Sequence, residues 1–380
     1  MRIGIDATFI RPSQVGGTES YLRNLLKGLE SVDSENEYYI FVNKINQKTF
    51  DFKKPNFKTL LCDVSGSNRL SRILYTNFKM PKLIKQNNID IMFFPSYMRP
   101  LSRIKNVITV SNIHDIQFKH FPEYFSLSKK IVFNMFYPAS IYKSDALIRI
   151  SNFVKNDIIE YYKNVDKTKL KVIYNPLITK SYNSVSSEYL CKLGIDEKNY
   201  ILSVATFFPH KNLETLIKSF SILKKENHTL KLVLAGIKQK SANALSELIT
   251  NLNLENDVII PGFVELETLE ALYKFTSVYV CTSMYEGFGM PPVEAMCRNI
   301  PVISTKCTSL YEVTMGLAEY YENPKDENEL AKKIKQVIES KTTKDLLLIG
   351  DKISQTYDMN SISMQYVDFF NSLIKGRIKY

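Results

Sequence analysis

Short apolar runs alternate with longer amphipathic stretches along the whole chain, a pattern typical of βαβ units around parallel sheets. Leu230–Ala235 is almost continuously apolar, as a strand covered on both faces requires. Ser20–Leu29, Glu214–Leu223 and Thr268–Lys274 place their apolar residues on one helical face. The pattern therefore predicts an α/β protein. The predicted strands are Ile3–Ala7, Tyr38–Val42, Phe57–Leu61, Ile89–Phe94, Asn106–Val110, Ala146–Ile150, Lys171–Tyr174, Tyr200–Ala205, Leu230–Ala235, Asp257–Ile260, Val278–Thr282, Pro301–Ser304 and Ala318–Tyr321.

A chain of 380 residues is long enough for two domains, each with its own core. Periodicity is weakest over residues 178–187, which we expect to be a hinge between the domains. We predict a first Rossmann-like domain over residues 1–182 and a second over residues 183–360. The amphipathic end of the chain, 361–380, is expected to form a helix that returns to the first domain.

Basic residues are concentrated in the first half of the chain. The net charge is +11, but residues 1–183 contain 28 Lys and Arg against 15 Asp and Glu, whereas the remainder carries −2. Segment 53–105 has eleven basic residues against Asp63 and Asp90. The positive electrostatic field of this half favours an anionic partner, namely lipid head groups, a lipid phosphate or nucleic acid. The alternative is a basic surface that is simply solvated.

Within this basic segment, Arg69–Lys85 interleaves cations with apolar and aromatic side chains. Two interpretations are open. The segment lies on an anionic membrane surface, or it is an ordinary surface helix with a buried apolar stripe.

The sequence shows no signal for secretion or for crossing a membrane. No apolar run reaches the roughly 18–20 residues that span a bilayer, and Asp6 and Arg11 interrupt any signal-peptide core. Five cysteines without a Cys-x-x-Cys pair predict a reduced, cytosolic setting with buried thiols and no zinc site.

The segment richest in chemistry follows the predicted strand Val278–Thr282. It passes through a glycine loop and starts a helix at Pro291. In open α/β sheets, ligands bind at the carboxyl ends of strands, and glycines let backbone N–H groups approach an anion closely. Glu286 and Glu294 flank the loop, and carboxylates accept hydrogen bonds from vicinal hydroxyls of a sugar or ribose. Alternatively, Glu294 only favours a helix N-terminus and Glu286 is a surface residue.

The spacing E-x7-E within the string EGFGMPPVEAM, which begins at Glu286, resembles the signature of retaining glycosyltransferase family 4. The resemblance implies the GT-B fold, in which two Rossmann-like, doubly wound parallel-sheet domains face each other across a cleft. It also implies that Glu286 lies beside the donor sugar and that Glu294 holds the nucleotide ribose. The loop residues implied near the sugar and diphosphate are Gly287, Phe288, Gly289 and Met290.

Two more segments of the second half are similar to family features. Residues 203–216 resemble the diphosphate-binding segment, with Lys211 as the cation and His210 as a hydrogen-bond donor. Many relatives have Arg where Thr206 or His210 stands, so the resemblance leaves open how many positive charges meet the diphosphate. The loop that ends at Val264 resembles the one whose backbone contacts the base.

Two segments of the first half complete the resemblance. Gly16 and Gly17 match the Gly-Gly loop placed over the donor phosphates, and His114 matches the histidine that contacts the donor sugar near the transfer site. The catalytic set is therefore expected to be His114, Lys211 and Glu286, with the remaining matched residues, Thr206 included, binding the donor. The sequence has no Asp-x-Asp motif, so we expect backbone amides and Lys211 to replace a metal, with no cofactor required. The family also implies retention of anomeric configuration.

The expected reaction is hexose transfer from a nucleotide diphosphate sugar to a glycan or isoprenoid-lipid-linked acceptor in cell-surface polysaccharide synthesis. Likeness to mannosyltransferases favours a GDP-sugar over a UDP-sugar. We expect a cytoplasmic protein, peripheral at the inner face of the cell membrane if segment 53–105 binds lipid. A dehydrogenase is disfavoured because Gly-x-Gly-x-x-Gly is missing, and no nucleic-acid-binding motif is present. Arg298 and Asn299, where relatives often have Gly, keep open a catalytically silent partner subunit.

Overall fold

The computed structural model describes residues 1–12, 16–64, 68–178, 185–237, 242–340 and 344–378. The chain divides into two compact units. Unit 1 comprises Met1–Ile178 and Tyr357–Tyr380, and unit 2 comprises Thr179–Thr356. The expected boundary between residues 182 and 183, and most of the expected hinge 178–187, lie outside the described residues.

Unit 1 is built on a seven-stranded parallel sheet in the order β3-β2-β1-β4-β5-β6-β7. The order reverses between β1 and β4, so the sheet is doubly wound, as predicted. Most strands are buried on both faces, which explains their continuous apolar runs. The strands are β1 Arg2–Asp6, β2 Glu37–Val42, β3 Phe57–Leu61, β4 Ile91–Phe94, β5 Ile108–Ile113, β6 Ala146–Arg149 and β7 Leu170–Val172.

Helices cover both faces of this sheet. The last helix packs on the first, where a Cβ added at Gly28 would lie 2.1 Å from Ser363 Oγ. The hydroxyls of Tyr21 and Tyr366 are 2.7 Å apart in the same contact. The helices are α1 Gly17–Val32, α2 Arg69–Leu74, α3 Met80–Gln86, α4 Gln117–His120, α5 Leu127–Lys143, α6 Asn152–Tyr161 and, at the chain end, α15 Met359–Ile378.

Unit 2 has a six-stranded parallel sheet in the order β10-β9-β8-β11-β12-β13, with its reversal between β8 and β11. The strands are β8 Tyr200–Val204, β9 Lys231–Ala235, β10 Val258–Gly262, β11 Val278–Cys281, β12 Val302–Thr305 and β13 Glu319–Tyr321. The helices are α7 Glu188–Cys191, α8 Leu213–Lys224, α9 Ala242–Asn251, α10 Leu266–Lys274, α11 Met290–Cys297, α12 Leu310–Val313, α13 Glu327–Glu339 and α14 Lys344–Thr356.

Three sequence-based expectations need correction. The strand expected at residues 106–110 runs instead to Ile113, because Ser111 is buried with a partner, the Ser144 hydroxyl 2.8 Å away. The helix expected to start at Pro291 starts at Met290, since Gly289 already takes the capping position. The thiols are not all buried: Cys191, at the end of a four-residue surface helix, is exposed.

In the parts of the chain that the structure describes, no helix is both long enough and apolar enough to cross a membrane.

Candidate active site

The ends of β8 and β11 meet at the point where the strand order of unit 2 reverses. Each strand continues into a loop that carries expected site residues. After β8, the chain forms a short 3₁₀ turn over Pro209–Lys211. After β11, it forms the glycine loop that leads into α11. Loops at such a reversal form the natural ligand crevice of a doubly wound sheet.

Backbone and hydroxyl hydrogen bonds hold these two loops together. The Thr282 hydroxyl donates to the backbone oxygen of Lys211 at 2.8 Å, and the Met284 N–H donates to the backbone oxygen of His210 at 2.8 Å. The Lys211 side chain is therefore presented from a fixed turn.

Lys211 and Glu286, 75 positions apart in sequence, form an ion pair at this crevice. Lys211 Nζ lies 2.5 Å from Glu286 Oε1, and the side chains are only 17% and 15% exposed. Burial alone would raise the pKa of Glu286, but the Lys211 ammonium and its hydrogen bond hold that pKa below its usual value. The carboxylate is thus ionised, and the lysine charge is already paired.

The glycine loop is fixed by hydroxyl groups that sequence reasoning did not single out. Thr308 accepts from the Glu286 N–H at 2.9 Å and donates to the Glu286 backbone oxygen at 3.0 Å. Ser309 donates to the backbone oxygens of Glu286 at 2.8 Å and Phe288 at 3.2 Å. Because these bonds occupy the loop carbonyls, the backbone dipoles are oriented before any ligand arrives. Their only sequence signal is the position of both hydroxyls just beyond the strand β12.

Gly289 is required by its conformation. Its φ is 86°, in the left-handed region, and an added Cβ would lie 2.7 Å from Leu310 Cδ2. It caps α11, whose first turn offers the N–H of Met290 but none from the two prolines that follow. The positive end of α11 and the N–H of Met290 suit an anion.

Glu294 lies on α11 and is held by the phenol of Tyr273, whose hydroxyl donates to Glu294 Oε2 at 3.1 Å. Burial raises the pKa of Glu294, despite the opposing effects of Arg298 and Tyr273. Tyr273 was not predicted, because it lies 21 positions away on α10. The second carboxylate oxygen remains able to accept from a hydroxyl of a ligand.

Arg298 and Asn299 both have a structural role. The Arg298 guanidinium pairs with Glu270, donates to the Glu294 backbone oxygen at 2.8 Å, and lies 4.9 Å from the ring centre of Tyr273. Asn299 takes a φ of 59°, the left-handed conformation that glycine supplies elsewhere and that asparagine tolerates. Neither residue disrupts the end of α11.

The other expected residues of unit 2 lie around the same sheet end. His210 is buried, and burial, reinforced by the Lys211 charge, lowers its pKa to about 3, so the ring is neutral. Thr206 is half-buried in the loop after β8. Val264 follows β10, which stands two strands away from β8 in the sheet, so it belongs to the rim rather than to the Lys211–Glu286 centre.

The expected residues of unit 1 are placed by β1 and β5. Gly16 has a φ of 66° and caps α1, which starts at Gly17; residues 13–15, part of the same loop, lie outside the described residues. His114 directly follows β5, and its Nε2 lies 2.9 Å from the Pro95 carbonyl oxygen. Burial lowers the pKa of His114 to about 4. Since a carbonyl only accepts, Nε2 carries the proton and Nδ1 is an acceptor.

Among the residues that the structure describes, no group of three or more His, Cys, Asp and Glu is arranged to hold a metal ion.

Sequence models of two families match the chain. The model described as "Glycosyltransferase Family 4" matches residues 15–180, and the model described as "Glycosyl transferases group 1" matches residues 187–347. The chain is similar to the O-antigen chain mannosyltransferase RfbU of Salmonella typhimurium, with 30% identity over 255 residues and 67% of each chain covered. It is also 26% identical to O-antigen chain mannosyltransferase B of Escherichia coli, with 66% of each chain covered. The alignments thus span about two thirds of these relatives.

Solved structures share the architecture over nearly the whole chain. Anabaena Alr3699/HepE in complex with UDP and glucose superposes with a TM-score of 0.73 at 21% identity, covering 98% of this chain and 100% of that one. WaaG, a glycosyltransferase involved in lipopolysaccharide biosynthesis, superposes with a TM-score of 0.73 at 12% identity, covering 97% and 99%. At these identities the likeness shows the fold.

Proposed function

The chain belongs to the family 4, group 1 glycosyltransferases, and from this premise we propose that it transfers a hexose from a nucleotide diphosphate sugar, with mannose favoured. The family membership and the GT-B fold expected from the motif are confirmed. The observation that carries the proposal is the buried Lys211–Glu286 pair beside the N-terminus of α11. The acceptor is proposed to be a glycan or an isoprenoid-linked glycan of a cell-surface polysaccharide.

The diphosphate is proposed to bind between Lys211 and the glycine-loop amides. Lys211 supplies a full positive charge, and the α11 N-terminus supplies a partial one. His210, being neutral, adds a hydrogen bond but no charge. A GDP-sugar is favoured, because the similar O-antigen proteins are named mannosyltransferases; UDP, bound in the Anabaena structure, is the alternative.

The two carboxylates are proposed to hold hydroxyl groups. Glu294, with one oxygen engaged by Tyr273, accepts from a ribose hydroxyl through the other. Glu286 is ionised and accepts from the donor sugar while Lys211 turns to the phosphate. In unit 1, the amides of Gly16 and Gly17 are proposed to suit a phosphate, and the acceptor nitrogen Nδ1 of His114 is proposed to suit a sugar hydroxyl.

In the proposed reaction, the bond from the anomeric carbon to the diphosphate oxygen breaks and a bond to the acceptor oxygen forms on the same face. The acceptor proton passes to the leaving phosphate. Negative charge therefore grows on the diphosphate, where Lys211 and oriented amides stabilise it; one such donor is typically worth about 100- to 1000-fold in rate. These groups are proposed to make a metal unnecessary.

The proposal is tested first by nucleotide binding. Thermal unfolding is measured with GDP, UDP, TDP and CMP, and a bound nucleotide raises the midpoint by mass action. We expect GDP to give the largest shift and Lys211→Met to reduce it. No shift with any nucleotide contradicts the proposed donor site.

Turnover separates an enzyme from a silent partner subunit. Release of nucleotide diphosphate from GDP-mannose and UDP-glucose is followed, with and without EDTA, in the presence of a membrane extract that supplies acceptors. Release that survives EDTA supports metal-independent transfer. Nucleotide binding without any release supports the silent-subunit alternative. We also propose that transfer takes place at the cytoplasmic face of a membrane, because a lipid-linked acceptor would be located there.

A further inference from the structure

Arg69–Gln86 forms one helical segment that carries two apolar stripes. It runs through α2, a π-helical turn at Tyr75–Lys79, and α3. One stripe, with Tyr75, Met80 and Ile84, is buried in unit 1. The surface-helix interpretation therefore explains half of the pattern. The second stripe lies outside the core: Leu70, Leu74 and Phe78 are 65%, 51% and 68% exposed.

A similar exposed stripe lies along α5, with the same spacing of four residues. Leu127, Ile131 and Met135 are 74%, 61% and 40% exposed. The crossovers β3–β4 and β5–β6 run in the same direction across the sheet, so right-handed connections place both helical segments over one face.

Both segments also approach the same residue, Leu101. The Leu101 N–H donates to Asn77 Oδ1 at 2.9 Å, and Lys143 Nζ donates to the Leu101 backbone oxygen at 2.9 Å. We name the two stripes together the apolar ridge; its members are Leu70, Leu74, Phe78, Leu127, Ile131 and Met135. Isolated exposed leucines are common on protein surfaces, but two exposed apolar stripes over one face of the same sheet favour a partner.

The two helical segments that carry the ridge have charged residues of one sign only. Neither 69–86 nor 127–143 contains a single Asp or Glu, while together they contain eight Lys and Arg. On the first segment Arg69, Lys79, Lys82 and Lys85 are exposed. The surface helix α13 of unit 2, by contrast, mixes acidic and basic residues.

We propose that the apolar ridge and its lysines dock unit 1 on an anionic lipid bilayer. A bilayer uses both features, because leucine and phenylalanine side chains enter the acyl boundary while lysines meet anionic head groups. Nucleic acid would use the lysines but leave the leucines in water. The proposal concerns a surface rather than the transfer site, and it stands whether or not the proposed reaction is correct.

The test is co-sedimentation of the full chain with vesicles, without donor or acceptor. Vesicles of phosphatidylcholine alone are compared with vesicles containing 30% phosphatidylglycerol, a probe composition of about one anionic lipid in three. We expect binding only to the anionic vesicles, weakened by added salt. Lys79→Gln with Lys82→Gln should weaken partitioning about 30-fold, since each lysine near the surface contributes about five- to sixfold. Leu74→Ser with Phe78→Ser should weaken it at least about tenfold.

Matched controls come from unit 2. Leu347→Ser with Leu348→Ser removes two equally exposed leucines, and Lys225→Gln with Lys332→Gln removes two exposed lysines. Both control variants should bind like the original chain. Far-UV circular dichroism and the thermal midpoint verify folding of every variant. Equal binding to neutral vesicles, no binding to anionic vesicles, or equal loss in the control variants each overturns the proposal.

Discussion

Replacing Glu286 with glutamine perturbs the Lys211–Glu286 pair while keeping the shape of the side chain. The amide can still accept a hydrogen bond from Lys211, but the lysine charge loses its counter-charge in a crevice where both groups are more than four-fifths buried. An unpartnered buried charge is unfavourable until another anion arrives. The diphosphate of GDP is, by the proposed function, that anion. We therefore expect Glu286→Gln to destabilise the empty protein and to strengthen GDP binding.

The size of both effects follows from the pair. Removing one partner of a buried ion pair typically destabilises a protein by about 3–5 kcal/mol; because glutamine retains a hydrogen bond, we expect about 3 kcal/mol here. If GDP binding recovers half of this lost stability, the affinity of the variant for GDP rises about tenfold. Turnover falls nevertheless, since the ionised carboxylate no longer holds the donor sugar.

The assay combines urea unfolding, with and without GDP, and titration calorimetry of GDP. Lys211→Met is the matched variant, because it breaks the same pair from the other side and leaves a buried carboxylate. It should be destabilised comparably but bind GDP more weakly. The double variant completes a cycle whose coupling term isolates the pair from the effects of each substitution alone.

Opposite affinity changes in the two single variants are the expected signature. If Glu286→Gln and Lys211→Met weaken GDP binding equally, the two residues act as one structural clamp and the reasoning is refuted. If neither changes GDP binding, the nucleotide lies elsewhere.

Three further outcomes are expected. Tyr273→Phe removes the hydrogen bond to Glu294 and should raise the donor KM about tenfold with kcat nearly unchanged. Burial lowers the pKa of His114 to about 4 and of His210 to about 3, so below about pH 6.5 the unfolded chain binds more protons. The free energy of unfolding should therefore fall between pH 6.5 and 5, and His210→Asn should reduce that slope by up to ~1.4 kcal/mol per pH unit. Gly289→Ala should destabilise by about 1–2 kcal/mol and weaken GDP binding, measured by urea unfolding and calorimetry.

Each of these has a matched control. Tyr279→Phe removes a buried phenol that donates to the Val204 backbone oxygen, and it should leave the donor KM unchanged. His228→Asn, which removes a histidine at an exposed position, is the control for His210→Asn. Gly262→Ala shares a positive φ of 79° but has open space around the added Cβ, so it should be destabilised less than Gly289→Ala. Failure of any pair to differ contradicts the corresponding argument.

Local signals in the sequence were sufficient for the architecture. Continuous apolar runs identified the strands, because strands covered by helices on both faces have no polar side. The glycine loop and α11 were found because glycine and proline act at the position where they stand. The structure places Lys211 and Glu286 in loops that follow two neighbouring strands of one sheet, β8 and β11.

Contacts between distant segments were beyond such reasoning. Nothing near Lys211 in sequence reveals that its charge is already paired, and nothing near Glu294 points to Tyr273 on another helix. The extension of β5 to Ile113 was missed because Ser111 reads as a loop residue until its partner Ser144 is known. The second stripe of 69–86 was visible as apolar residues, but only burial separates the side chains that face the core from those that do not.

The return of the chain to unit 1 through α15 has a consequence for biosynthesis. Tyr21 and Gly28 of α1 pack against α15, yet α15 begins 327 positions after α1 ends. A ribosome therefore releases all of unit 2 before the last helix of unit 1 exists. During that interval the nascent first unit lacks the contacts that Ser363 and Tyr366 supply to α1, so unit 2 is able to mature first and chaperones have a defined surface to shield.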